Sequence, residues 1–254
     1  MIAEQWLSFL IDLADRADPI ALSRFRATDL QVETKLDRSL VTEADLAIEE
    51  MARTQCRRLH PGLVVCGEEQ GSADDGGSGR LWIDPIDATA NFVRGIPIFA
   101  TLLAIEIDDE IVAGLVSAPA LATRWSAARG AGAQRNGKPV HVSRVSELEH
   151  AQAFHGSLAG SELPQIPAGH RSLLAQTRRQ RGFGDFYQHV LVAEGAGELA
   201  IDPVVNPWDI APLMLITEEA GGRATTLTGD VTLFGGSLVT TNGLLHDIVL
   251  RELS

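Results

Sequence analysis

The chain has 254 residues, 45% of them hydrophobic and 22% charged, with a formal net charge of −13. That length buries a large core, as one big domain or two intimate halves. The acidity and the lack of any basic run exclude nucleic acid as a partner, and no apolar run approaches the roughly 18 residues of a membrane span.

Residues 1–20 read as an amphipathic helix, with Trp6, Phe9, Leu10, Leu13 and Ala17 on one face. The acids among them and the missing basic n-region argue against a signal peptide. A second helix is predicted over 42–60, with Thr42 as N-cap and Leu46, Ile48, Met51, Ala52 and Leu59 as its apolar face. "LVVCGEE" (63–69) reads as a short buried strand ending in two glutamates, and "LWID" (81–84) as another. Between them, 71–80 is a Gly/Ser/Asp-rich surface loop. Residues 99–119 form a hairpin that turns at Asp108-Asp109, and 123–143 a second that turns at Asn136-Gly137. The stretch 159–172 is irregular and separates the two halves, about 1–150 and 151–254. Helix, glycine and strand follow over 182–201, then a helix over 207–220 stopped by Gly221-Gly222, then a strand and a closing helix over 237–253. Hairpins early and crossovers late predict a layered α/β fold, formed as a single domain over 1–254. Cys56 and Cys66 read as reduced core thiols of a cytoplasmic protein.

Acids stand at the ends of these elements. Glu68 and Glu69 end one strand, Asp84 and Asp87 flank the end of the next, Asp209 opens the helix after Trp208, and Asp45 lies in the first turn of the 42–60 helix. Taken singly, Asp87 and Asp209 read as N-caps. Taken together, carboxylates held close repel, and burying them costs several kcal/mol unless they pair or bind a cation. No Lys or Arg follows Asp84 before Arg94. A hard divalent cation such as Mg²⁺ is the economical partner, because it takes oxygen ligands, a few carboxylates and a substrate phosphate. With Asp87 as N-cap, the free amides of Ala88 and Thr89 make a phosphate cradle at a helix start.

"GEE" (67–69), "WIDPIDATANFVRG" (82–95), "PWDIAPLMLITEEAGG" (207–222) and "SLVTEADLAIE" (39–49) resemble the signature segments of the inositol monophosphatase superfamily of Mg²⁺-dependent phosphatases, over nearly the whole chain. The resemblance implies an α-β-α-β-α sandwich and two or three Mg²⁺ per site, with Mn²⁺ as a substitute. It implies one metal on Glu68, Asp84 and the Ile86 carbonyl, a second on Asp84, Asp87 and Asp209, and a weaker third reached by Glu68 through water. Thr89, hydrogen-bonded to Asp45, then orients and deprotonates the attacking water. Where the family usually has Gly, this chain has Ala88, expected to sit easily at a first helical position. A homodimer is implied, with 96–126 as a candidate face.

Within the superfamily the chain is most similar to bacterial histidinol-phosphate phosphatases, in "NFVRGIPIFATLLAI", "GFGDFYQHVLVAEGAGELAIDP" and "TTNGLLHD". The expected partner is therefore a small phosphorylated metabolite. Histidinol phosphate carries an ammonium and an imidazole, so carboxylates beyond the metal set favour it. Asp185 and Asp202 are the candidates. The alternatives are inositol monophosphate, a 3'-phosphorylated adenosine nucleotide, or metal binding without catalysis. His189 is the best-placed histidine and reads as structural rather than nucleophilic.

Overall fold

The computed structural model describes residues 2–36, 38–72, 79–158 and 165–254. Much of the predicted loop at 71–80 and of the irregular stretch at 159–172 lies outside the described residues.

The architecture is a five-layer sandwich of helices and sheets. The outer helices are α1 (Ala3–Arg24) and α2 (Glu43–Leu59), with a small antiparallel pair, β1 (Val32–Thr34) and β2 (Leu40–Thr42), between them. They cover a seven-stranded sheet whose strands lie in chain order: β3 (Leu63–Gly67), β4 (Gly79–Asp87), β5 (Ala100–Ile107), β6 (Glu110–Ala118), β7 (Thr123–Ala128), β8 (Gly132–Arg135) and β9 (Lys138–Pro139). Within this sheet, among the described residues, only β3 and β4 pair in parallel; a short helix, α3 (Thr89–Val93), separates β4 from β5.

The second sheet collects β10 (Gln152–His155), β11 (Arg179–Gly182), β12 (Leu199–Asp202), β13 (Arg223–Thr225) and β14 (Leu238–Thr241) in the order β11-β10-β12-β14-β13. Helices α5 (Asp185–Ala193) and α6 (Pro207–Glu219) lie between the sheets, and α4 (His170–Gln176) and α7 (His246–Leu253) cover the far face.

Strands buried on both faces explain the near-continuous apolar runs. Leu81, Ile83, Leu103 and Ile105 pack on α1 and α2 with Leu10, Leu13 and Ile48. Their neighbours Trp82, Leu102 and Ala104 point the other way, onto Phe186, Ile210 and Leu213 of α5 and α6. Leu199, Ile201 and Val239 pack against Leu173 and Val249 of α4 and α7.

Several local expectations hold. Asp108-Asp109 and Asn136-Gly137 adopt the paired positive φ angles of tight hairpin turns (52° and 61°; 49° and 74°). The second hairpin, however, contains three strands. Residues 129–131 link β7 to β8, and Asn136-Gly137 links β8 to β9. The 42–60 helix also turns differently than its hydrophobic pattern suggests. Leu46 and Leu59 are exposed, while Asp45 and Glu49 are fully buried beside Ala44, Ile48 and Ala52.

Candidate active site

The site begins with an irregularity in β4. Asp84 pairs with Leu102 and Asp87 with Ala100, so three steps on β4 oppose two on β5. In a regular strand, residues three apart face opposite sides; one extra residue puts both on the same side. Leu102 and Ala100 face α5 and α6, and the bulge sends both carboxylates there. Pro85 sits in the bulge, where its missing N–H costs no ladder bond, and the Thr101 hydroxyl donates to its carbonyl at 2.8 Å.

Helix α6 brings the third acid. Asn206 is its N-cap, and Asp209 completes a capping box by accepting the Asn206 N–H at 2.8 Å through Oδ2. Asp87 Oδ2 accepts the Phe186 N–H at 2.8 Å, which ties β4 to the start of α5. Asp84 Oδ1 is buried with no partner. Asp84, Asp87 and Asp209 each place a carboxylate oxygen within 4.8 Å of the others. Their surroundings resist three negative charges. Burial first, then Glu68, Asp87 and Asp209, hold the Asp84 carboxyl well above the usual range. Burial, then Asp185 and Asp209, do the same to Asp87. Asp209 is pushed up to about 7 by burial, against the opposing Asn206 N–H. An orphaned buried oxygen among crowded hard oxygen donors fits Mg²⁺ or a similar divalent cation.

These acids line a cleft of about 570 Å³ together with Glu68, Ile86, Ala88, Thr89, Asp185 and Arg38, the one basic residue on its wall among the described residues. Asp185, expected as a substrate contact, lies on this wall. Asp202 ends β12, is buried outside the described cleft lining, and accepts the Gln188 amide at 2.9 Å. His189 is buried against the Thr240 hydroxyl at 2.8 Å and takes no place on the cleft wall, as its structural reading implied.

Three expectations need correction. Asp87 is the last residue of β4 rather than an N-cap; Ala88 caps α3 in a left-handed conformation (φ 63°, ψ 45°). Ala88 is thus no ordinary first helical residue, and the position favours glycine because it carries a positive φ. The expected Thr89–Asp45 hydrogen bond is absent. The Thr89 hydroxyl donates to the Ile86 carbonyl at 2.8 Å, and Asp45 Oδ2 accepts the Thr42 hydroxyl at 2.5 Å and its N–H at 2.9 Å. Thr42 is the N-cap of α2 as predicted, and Asp45 completes its capping box. Asp45 Oδ1 stays buried and unpartnered, and burial pushes the carboxyl up to about 6.

Sequence reasoning also missed Lys35. Its ammonium lies 2.8 Å from Glu68 and 2.7 Å from Glu69. Burial works against its charge, but those two bonds outweigh it and raise its pKa. No local pattern marks Lys35, because the contact spans more than thirty residues.

Acids from a bulged strand and a helix start meet on the wall of one cleft, and the chain's relatives make it a phosphatase of a metal-dependent class. The chain belongs to the inositol monophosphatase family, whose model matches residues 2–254. It is 46% identical over 254 residues to a histidinol-phosphatase of Mycobacterium tuberculosis (strain ATCC 25618 / H37Rv), covering 98% of this chain and 97% of that one. A histidinol-phosphatase of Streptomyces coelicolor (strain ATCC BAA-471 / A3(2) / M145) is 42% identical over 252 residues, covering 95% and 94%. Among solved structures, the Thermotoga maritima IMPase superposes with a TM-score of 0.88 at 31% identity, covering 98% of this chain and 96% of that one.

Proposed function

We propose that the protein hydrolyses histidinol phosphate to histidinol and inorganic phosphate in a Mg²⁺-dependent reaction. The observation that carries the metal dependence is the convergence of Asp84, Asp87 and Asp209 to within 4.8 Å. The substrate rests on the 46% and 42% identity to histidinol-phosphatases. Glu68, Asp84 and the Ile86 carbonyl would hold one ion, Asp84, Asp87 and Asp209 a second, and Glu68 a third through water, with Mn²⁺ able to substitute. Bound there, the metal acidifies water and offsets negative charge on the phosphoryl oxygens.

The chain's own groups do the rest. The Ala88 and Thr89 amides face phosphoryl oxygens, since the first amides of a helix have no carbonyl partner within it. Thr89 orients the attacking water, and Asp45 Oδ1, buried and unpartnered, is the acceptor to which its proton passes. Water adds to phosphorus as the P–O bond to histidinol breaks, and the departing oxygen takes a proton from solvent water. Asp185 on the cleft wall receives the substrate's ammonium or imidazole, and Asp202 behind it adds negative potential. The enzyme is proposed to act in the cytoplasm, where its two buried free thiols stay reduced, and as a homodimer by analogy with its family.

Phosphate release from histidinol phosphate, inositol 1-phosphate and 3'-phosphoadenosine, each with and without Mg²⁺, tests this. The expected result is Mg²⁺-dependent release with kcat/KM for histidinol phosphate higher by at least about tenfold, or 1.4 kcal/mol. A preference for inositol 1-phosphate would contradict the substrate assignment.

A further inference from the structure

We propose that Glu49 and Arg53 of α2 form a positioning pair that sets the metal affinity of the site by fixing the turn that carries Glu68. The inference rests on the reading of Glu68 as a metal ligand.

Glu49 is fully buried on the inner face of α2. Its Oε2 accepts the Glu69 N–H at 2.9 Å, and its Oε1 accepts the Gln70 N–H at 3.1 Å. The same Oε1 accepts two bonds from the Arg53 guanidinium, at 2.9 and 2.6 Å. Arg53 in turn donates to the Val65 carbonyl at 3.2 Å and to the Gly71 carbonyl at 2.6 Å. Two side chains one helical turn apart therefore hold both sides of the 67–71 turn. Glu49 takes the peptides just after Glu68; Arg53 takes the strand before it and the residue that closes the turn.

A neutral side chain could fill this space without burying a charge, which is costly unless fully paired. The carboxylate is suited to something narrower. It presents two acceptors to two successive peptide N–H groups while a guanidinium neutralises it, so the peptide next to Glu68 has one position. Gly67 points to the same purpose. A Cβ there would lie 2.4 Å from the Glu49 carboxyl carbon and 2.5 Å from both its oxygens. That carboxylate cannot retreat, because four hydrogen bonds hold it. The glycine of "GEE" makes room for Glu49, and Glu49 holds the first glutamate in place. Groups that orient a metal ligand typically govern metal affinity by ten- to a hundredfold when removed.

The test is titration of the metal-free protein with Mn²⁺, followed by electron paramagnetic resonance, alongside urea unfolding. In Glu49→Gln, whichever oxygen becomes an amide nitrogen meets an N–H donor. The Mn²⁺ dissociation constant is expected to rise about tenfold, with kcat at saturating metal changed far less. Glu50→Gln, which alters an exposed residue of the same helix paired with Arg57, should leave the constant unchanged. Gly67→Ala should weaken Mn²⁺ binding as Glu49→Gln does, but add little in a Glu49→Ala background, where its clash is gone. This pair decides the matter if Glu49→Gln folds poorly. A lowered urea midpoint with an unchanged Mn²⁺ constant in both Glu49→Gln and Gly67→Ala would overturn the inference and leave the pair a brace for the fold. Glu68→Gln is the reference: if it binds Mn²⁺ as the wild type does, Glu68 is no ligand, and the reading beneath the inference fails instead.

Discussion

Replacing Asp84 with asparagine should make the metal-free protein more stable and deaf to metal. Asp84, Asp87 and Asp209 place oxygens within 4.8 Å of one another, and two full charges at that distance repel by about 3.5 kcal/mol at an effective dielectric constant of ~20. The metal-free protein relieves this by retaining protons. Asp84 and Asp87 are held well above the ordinary 3.8, and Asp209 is raised to about 7. Since these folded-state pKa values exceed the unfolded ones, the native state binds more protons, and their contribution to stability is lost as pH rises above about 4, for Asp209 through about 7. Asparagine has no charge to lose, and its amide can donate to a neighbouring carboxylate. At pH 8 without metal, Asp84→Asn is expected to be more stable by about 1–3 kcal/mol. Metal reverses the order. At a hundred times its dissociation constant a cation adds about 2.7 kcal/mol to the wild type, or roughly 5–10 °C in Tm at about 2–4 °C per kcal/mol. The assay is scanning calorimetry at pH 8 with and without Mg²⁺. An equal Mg²⁺ response in the two proteins, or a variant less stable than the wild type without metal, would refute the reasoning. Turnover should vanish in the folded variant.

Two further expectations concern the fold around the site. Ala88→Gly removes a left-handed alanine, worth about 1–2 kcal/mol, and adds unfolded-state freedom worth about 0.5–1 kcal/mol, so urea unfolding should show a net gain of about 0.5–1 kcal/mol; a loss would contradict the backbone assignment. His246 is buried between the Thr225 and Thr241 hydroxyls, and burial lowers its pKa to about 4. Its contribution is fully present above the ordinary 6.5 and is lost as pH falls toward 4, at about 1.4 kcal/mol per pH unit. His246→Gln should lack that slope in urea titrations across this range, and a parallel pH profile would show that the imidazole is not held neutral.

Much of the architecture is legible in local patterns. The apolar stripe of Trp6, Phe9, Leu10, Leu13 and Ala17 buries as its spacing requires, and both hairpin turns fall on the Asp-Asp and Asn-Gly pairs. These features depend on neighbours in sequence. What stayed hidden depends on distant ones. The bulge that aligns Asp84 with Asp87 exists only against β5, and without it an Asp three residues beyond another looks like a helix cap. The same blindness misplaced the face of α2. Hydrophobic pattern sends acids to water, yet Asp45 and Glu49 are buried and Leu46 is exposed, because the partners of those acids are Thr42, Arg53 and the 67–71 turn. The acidic residues of the site were readable because they stand at element ends; their supports, Lys35 and Glu49, carry no such mark.

The most direct measurement is a crystal of the protein soaked in Mn²⁺, with the anomalous signal located. The strongest peak should lie among the carboxylates of Asp84, Asp87 and Asp209, within coordination distance of at least two of them. An empty cluster, with Mn²⁺ only at exposed acids such as Glu147 and Glu149 beside His150, would contradict a metal-dependent phosphatase site here.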